Sequence, residues 1–101
     1  MPVLEKQVDE KLVRLFKKHY PEGVCIKLAT VGAHGTAGWP DRCFIVNGKI
    51  AFVELKAPGK KPTPLQEARL SQLRFAGARA EWFDNAERAF DWLKLIMGQP
   101  T

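Results

Sequence analysis

The chain has 101 residues, 46% of them hydrophobic and 27% charged, and its 16 lysines and arginines outnumber its 11 aspartates and glutamates for a net charge of +5. A chain this short buries roughly 60–65% of the surface its unfolded form exposes, so the expectation is a single domain over residues 1–101 with a modest core that a partner subunit would help. The composition excludes a disordered tail, and no apolar run approaches a membrane span. The early charges of MPVLEKQVDEKL do not fit a signal peptide, so the protein is expected inside the cell, in the cytoplasm. The excess of positive charge favours a polyanionic partner.

Residues 3–19 read as an amphipathic helix, because Leu4, Val8, Leu12, Leu15 and Phe16 recur at helical spacing. Tyr20-Pro21-Glu22-Gly23 stops it. VCIKLAT (24–30) reads as a strand in which Val24, Ile26 and Leu28 alternate against Cys25, Lys27 and Ala29. A loop with Gly32, Gly35 and Gly38 follows. Two strand runs, DRCFIV and KIAFVELKA, are then joined by Asn47-Gly48, the dipeptide that suits a two-residue type I′ turn. After APGKKP, Thr63 as N-cap, Pro64 at the first helical position and Gln66 at the third predict a capping box. Leu65, Leu70, Leu73 and Ala76 supply the apolar positions of that helix, and Gly77 is placed to end it. ARAEWF (78–83) predicts a fourth strand. Asp84 is a candidate cap for a last helix, with Glu87 at its third position and Ala89, Phe90, Leu93 and Met97 facing inward. The order is αβββαβα, an α/β fold with a mixed central sheet flanked by helices. Cys25 and Cys43 match neither a metal-ligand nor a redox spacing and are expected as free thiols.

The hairpin makes a specific statement about charge. With Asn47 and Gly48 as the two loop residues, cross-strand partners have numbers that sum to 95, so Asp41 faces Glu54. Opposed residues on one sheet face have Cβ atoms about 4.5–5.5 Å apart, which brings the two carboxylates almost into contact. Lys56, two residues beyond Glu54, points to the same face about 7 Å along. Opposed carboxylates repel unless a cation lies between them or one holds a proton. A hard divalent cation such as Mg²⁺ is one filler; an ion triad closed by Lys56 is the other, and geometry alone weighs the two evenly. The first helix offers a third acid. Its apolar arc, centred near Val8 and Leu15, includes Glu5, has Asp9 at its edge and leaves Glu10 in solvent. Glu5 then either complements the helix dipole or leans toward the Asp41–Glu54 site.

Pro-Asp followed after a turn by Glu-x-Lys, within αβββαβ, resembles the PD-(D/E)xK nuclease superfamily. LEKQVDEKLV, the strand lysine of CIKLAT, GWPDR, FVELKAPGKKPTPLQ and a following L…G together resemble the VRR-NUC (virus-type replication-repair nuclease) family, in particular its small stand-alone phage and prophage members. The resemblance runs from about Leu4 to Gly77. It implies that Asp41 and Glu54 are metal-binding acids, with the Leu55 carbonyl as a further ligand and Glu5 as the helix-borne acid. It also implies that Lys56 is the catalytic lysine and that Gln66 supports the site, a residue the capping box explains equally well. Lys27 falls on a recurrent strand lysine that suits substrate contact. Trp39 departs from the smaller apolar residue common there and fits packing better than stacking on DNA.

The implied activity is endonucleolytic hydrolysis of DNA phosphodiesters with one or two Mg²⁺ or Mn²⁺ ions and no organic cofactor, leaving 5′-phosphate and 3′-hydroxyl ends. By the same resemblance the substrate is a four-way junction and the protein a homodimer, with no membrane partner. Flaps or ordinary duplex as substrate, and a non-catalytic nucleic-acid-binding module of the same fold, are the alternatives. Lys60, Lys61 and Arg42 are candidate phosphate contacts, whereas Arg69 and Arg74 read as solvated surface charges. His19 and His34 have no partner spacing and are not expected as ligands.

Overall fold

Asn47 and Gly48 have φ angles of 49° and 78°, the left-handed pair that a type I′ turn requires, and the register they set is the expected one. In the computed structural model, which describes residues 2–28 and 37–99, strands β2 (Arg42–Val46) and β3 (Lys49–Leu55) pair antiparallel, with Val46 opposite Lys49, Ile45 opposite Ile50 and Arg42 opposite Val53. Strand β1 (Val24–Lys27) adds antiparallel to β2, and β4 (Arg79–Phe83) adds parallel to β3, giving a mixed sheet of order β1-β2-β3-β4. Helices α1 (Glu5–His19), α2 (Pro64–Phe75) and α3 (Ala86–Met97) complete the αβββαβα order.

One sheet face carries the core. Phe44 and Val46 of β2 and Ala51, Val53 and Leu55 of β3 alternate onto it. Val8, Leu12 and Phe16 of α1 and Ala89, Phe90, Leu93 and Met97 of α3 close over them. Phe16 meets the Phe44 ring edge-on at 4.8 Å. Each such side chain contributes about 1.5–3 kcal/mol by leaving water. Lys11 and Glu87 pair across the two helices.

The other face is less completely covered. Helix α2 packs against β4, and its buried Leu70 lies outside the main core cluster. Val24, Ile26 and Ile50 stay 49%, 42% and 46% exposed. The strand expected over residues 24–30 is therefore turned the other way from its hydrophobic alternation. Cys25, opposite Phe44, packs toward the core, while Val24 and Ile26 point to the partly open face. Leu28 follows the strand, and residues 29–30 lie outside the described residues, as do Gly32, His34 and Gly35.

The caps follow the sequence in one helix and depart from it in another. The Thr63 hydroxyl accepts from the Gln66 N–H at 3.2 Å, and Gln66 Oε1 accepts from the Thr63 N–H at 2.9 Å. Pro64 opens α2, and Gly77, with φ of 96°, follows its end. Leu65 and Ala76, expected among the apolar positions, are exposed. The cap of α3 is Asn85, whose side chain accepts from Arg88 N–H at 2.9 Å, rather than Asp84. Asp84 instead accepts from the Gly59 N–H at 2.9 Å, which ties the loop after β3 to the end of β4 and moves Glu87 to the second helical position. Both cysteines are free thiols. Among the described residues no helix is long and apolar enough to cross a membrane.

Candidate active site

The parallel pairing of β3 with β4 puts the ends of both strands at the same edge of the sheet, where the Lys56 N–H donates to the Phe83 carbonyl at 2.9 Å. Asp41 sits one residue before β2, and Glu54 and Lys56 lie at and just past the end of β3. The Asp41 backbone carbonyl accepts from the Leu28 N–H at 2.8 Å, and its carboxylate accepts from the Leu55 N–H at 2.9 Å. The side chain is thus held against β3 by a main-chain donor. The approach to Asp41 is also fixed. Gly38 has φ of 79°, and a Cβ there would lie 2.6 Å from the Leu65 Cγ. Arg69 stacks on the Trp39 ring at 4.5 Å and donates to the Ala37 carbonyl.

Glu54 is the one buried charged residue among those described, at 2% exposure. Lys56 Nζ lies 3.3 Å from its Oε2 and 3.9 Å from the Glu5 Oε1. The structure therefore brings Glu5, Asp41, Glu54 and Lys56 to one place. One lysine does not balance three acids. Burial first, and the Asp41 charge second, push the Glu54 carboxyl up to about 8 against the pull of Lys56. Burial also raises Asp41, opposed chiefly by the Leu55 N–H. Glu5 is raised by burial and then by Asp41, with Lys56 acting the other way.

The Glu54 Oε1 atom is buried without a hydrogen-bond partner. A buried carboxylate oxygen with no donor is costly, and no lysine or arginine among the described residues forms an ion pair with that oxygen. An all-oxygen set of Asp41, Glu54 and the Leu55 carbonyl, with Glu5 nearby, has the chemistry that Mg²⁺ or Mn²⁺ takes. Among the described residues no three His, Cys, Asp or Glu side chains form a ready cation cage. Such a site would use two carboxylates, main-chain oxygen and water.

The other expected residues divide. Lys27 is exposed and lines a cleft of about 190 Å³ together with Glu5, Lys6, Asp9, Asp41 and Arg42. Lys60 and Lys61 are exposed in the loop between β3 and α2. Gln66 is held in the capping box by Thr63. Arg42, expected as a phosphate contact, points from the core face of β2 and gives both its Nε and Nη2 to Asp9 at 2.9 Å. Its charge is neutralised inside the protein. Arg74, expected in solvent, donates to the Ala80 carbonyl at 2.7 Å and pairs with Glu81 at 2.8 Å. Arg69, also expected in solvent, is the ring-stacked residue above. His19 bonds through Nδ1 with the Leu15 carbonyl at 2.9 Å and packs on Phe90. The residue that sequence reasoning passed over is Asp9, whose place at the edge of the apolar arc was its only signal.

No family model matches the chain. Over 65 residues, 63% of this chain and 64% of the relative's length, it is 42% identical to the putative nuclease p44 of Acyrthosiphon pisum secondary endosymbiont phage 1. A solved structure named VRR_NUC domain superposes with a TM-score of 0.73 at 26% identity, covering 89% of this chain and 94% of that one. A second, named VRR_NUC domain protein, superposes at 0.76 with 16% identity over 95% of this chain and 89% of its own, a likeness of fold. The fold is thus that of solved VRR-NUC domains, and the sequence is similar over about two thirds of its length to a phage protein named as a putative nuclease.

Proposed function

We propose that this chain is a metal-dependent DNA endonuclease that hydrolyses phosphodiester bonds, acting at four-way junctions as a homodimer. The observation that carries the reading is Glu54, a carboxylate with 2% exposure, one oxygen beside Lys56 and the other without a partner. A binding module that only grips nucleic acid has no use for acids that repel phosphate. The VRR-NUC neighbours and the phage nuclease support the same activity.

In this mechanism Asp41, Glu54 and the Leu55 carbonyl would hold Mg²⁺ or Mn²⁺, with Glu5 as a further acid of the set. A cation held there would supply a lowered pKa for a water molecule and charge neutralisation for the attacked phosphate. Asp41 is kept in place by the Leu55 N–H, so its carboxylate needs no reorganisation when substrate arrives. Lys56 orients the attacking water and donates to the charge that develops on the phosphate. The water oxygen bonds to phosphorus as the P–O3′ bond breaks, and the departing 3′ oxygen takes up a proton, leaving a 5′-phosphate and a 3′-hydroxyl. Lys60, Lys61 and Lys27 hold backbone phosphates, which positions DNA without reading its bases.

The homodimer is supported by a small core and by the partly open apolar face that Val24, Ile26 and Ile50 share on the sheet. Two sites in fixed relation suit two strands of one branched substrate. The test is to incubate the protein with Mg²⁺ or Mn²⁺ and end-labelled junction, flap, duplex and single-stranded DNA, alongside Glu54→Ala. Metal-dependent cutting confined to the junction and absent in the variant is expected. Cutting of every substrate would remove the junction preference. Binding without cutting, in either metal, would leave the non-catalytic module. Light scattering during gel filtration reads the dimer directly.

A further inference from the structure

Resting on the reading of Glu5, Asp41 and Glu54 as a metal-holding set, we infer that the Asp9–Arg42 pair positions that set by locking helix α1 to the start of β2. Arg42 Nε lies 2.9 Å from Asp9 Oδ1 and Nη2 lies 2.9 Å from Oδ2, a two-pronged contact that fixes direction as well as distance. Both side chains are largely out of water, at 17% and 21% exposure. The remaining guanidinium nitrogen, Nη1, points toward the Cys25 sulfur at 3.9 Å, so the fork is held on three sides.

What matters is what each end of this clamp is attached to. Arg42 follows Asp41 directly in the chain. Asp9 lies one helical turn beyond Glu5, on the same side of α1. The clamp therefore joins the neighbour of one acid to the neighbour of another, and both partners line the cleft that also contains Glu5 and Asp41. Toward the sheet the rest of α1 packs mainly through apolar Val8, Leu12 and Phe16, while its other ion pairs across elements, Lys11–Glu87 with α3 and Glu5–Lys56, do not involve the start of β2. Apolar contact resists separation but is non-directional, so it tolerates small slides of the helix along its axis. A slide of one residue moves Glu5 by about 1.5 Å. The Glu5–Lys56 pair is already at 3.9 Å and would come apart. A buried ion pair is often no better for stability than an apolar replacement, which leaves geometry as the advantage of this one.

The test uses the full chain and reads Mn²⁺ affinity by calorimetry, melting temperature, and kcat and KM on the cleaved DNA. Arg42→Lys keeps the charge and removes the fork. It is expected to weaken Mn²⁺ binding roughly 10–100-fold, the usual cost of disturbing a residue that orients a metal ligand, and to lower kcat more than it raises KM. Arg42→Gln separates position from charge. Removing a positive charge near a cation site should tighten binding if only the field matters, whereas loss of positioning weakens it. Asp9→Asn is expected to weaken binding as well. Mn²⁺ affinity at the wild-type value in Arg42→Lys, or tighter than wild type in Arg42→Gln, overturns the inference and leaves the metal site standing. Unfolding of all three variants at the assay temperature makes the pair a structural staple and also overturns it. Absence of Mn²⁺ binding by the wild-type protein overturns the metal-site reading itself, and the inference with it.

Discussion

The Asp41 carboxylate accepts the Leu55 backbone N–H at 2.9 Å, so the acid that precedes β2 is tied to the last residue of β3. Asp41→Asn keeps an acceptor for that donor and removes the charge. Its metal-free stability is expected at or above the wild-type value at pH 8, with metal-dependent cleavage abolished. Asp41→Ala leaves the Leu55 N–H without its partner and is expected to be less stable than Asp41→Asn by about 1–3 kcal/mol. Urea unfolding of the two variants in a chelating buffer makes the comparison, and equal stabilities would refute it.

The metal-free protein is expected to lose stability as pH rises. Glu54 titrates near 8 in the folded chain, because of burial and the Asp41 charge, against an ordinary value of 4.5. The folded state therefore binds the proton more tightly than the unfolded one. That contribution is complete below pH 4.5 and is lost as pH climbs through 8. Asp41 and Glu5, both raised, act in the same direction. Melting curves in a chelator should fall from pH 5 to pH 8.5, and Glu54→Gln should flatten the slope. Adding Mn²⁺ should reverse the trend, since only the ionised carboxylates hold the cation; at one hundred times the dissociation constant it adds about 2.7 kcal/mol.

Lys56 lies beside two acids, and the proposed mechanism gives it a task of its own. Lys56→Ala is expected to lower kcat by about 10²–10⁴-fold while Mn²⁺ binding stays equal or becomes tighter, because a positive neighbour has been removed. Parallel calorimetry and single-turnover cleavage check this. A loss of metal affinity matching the loss of rate would make the lysine a support for the acids alone.

Lys60 and Lys61 stand in water in the loop between β3 and α2. The double variant Lys60→Ala/Lys61→Ala is expected to reduce the slope of log affinity against log salt by about 0.9 for each phosphate it ceases to neutralise on duplex arms. Cleavage at saturating DNA should change little. Binding titrations across a range of salt concentrations read the slope, and an unchanged slope means that neither lysine pairs with a phosphate.

The parts of this molecule that were legible in its sequence are those governed by neighbours in the chain. Asn47-Gly48 dictates its own turn, and the turn dictates the pairing of β2 with β3. Thr63, Pro64 and Gln66 dictate the start of α2 within four residues. What the sequence hid depends on distant contacts. Asp84 and Asn85 are both good caps, and the choice between them was made by Gly59, which engages Asp84 from 25 residues away. Arg42 looked like a phosphate ligand until Asp9, 33 residues distant, took both of its prongs. In β1 the alternation was real, but α1 and α3 cover one sheet face and α2 only part of the other. The more apolar side of that strand was left outside.

The Asn47–Gly48 turn lies far from the chemistry, yet it acts as the ruler by which the chemistry is laid out. Asp41 is reached by counting six residues back from Asn47, and Glu54 by counting six forward from Gly48. In a pleated strand one residue more or less reverses every side chain beyond it. A single insertion between Gly48 and Val53 would send the Glu54 carboxylate to the core face and bring Val53 opposite Asp41. The hairpin can exchange many of its residues for others of like character, but its length is part of the candidate site.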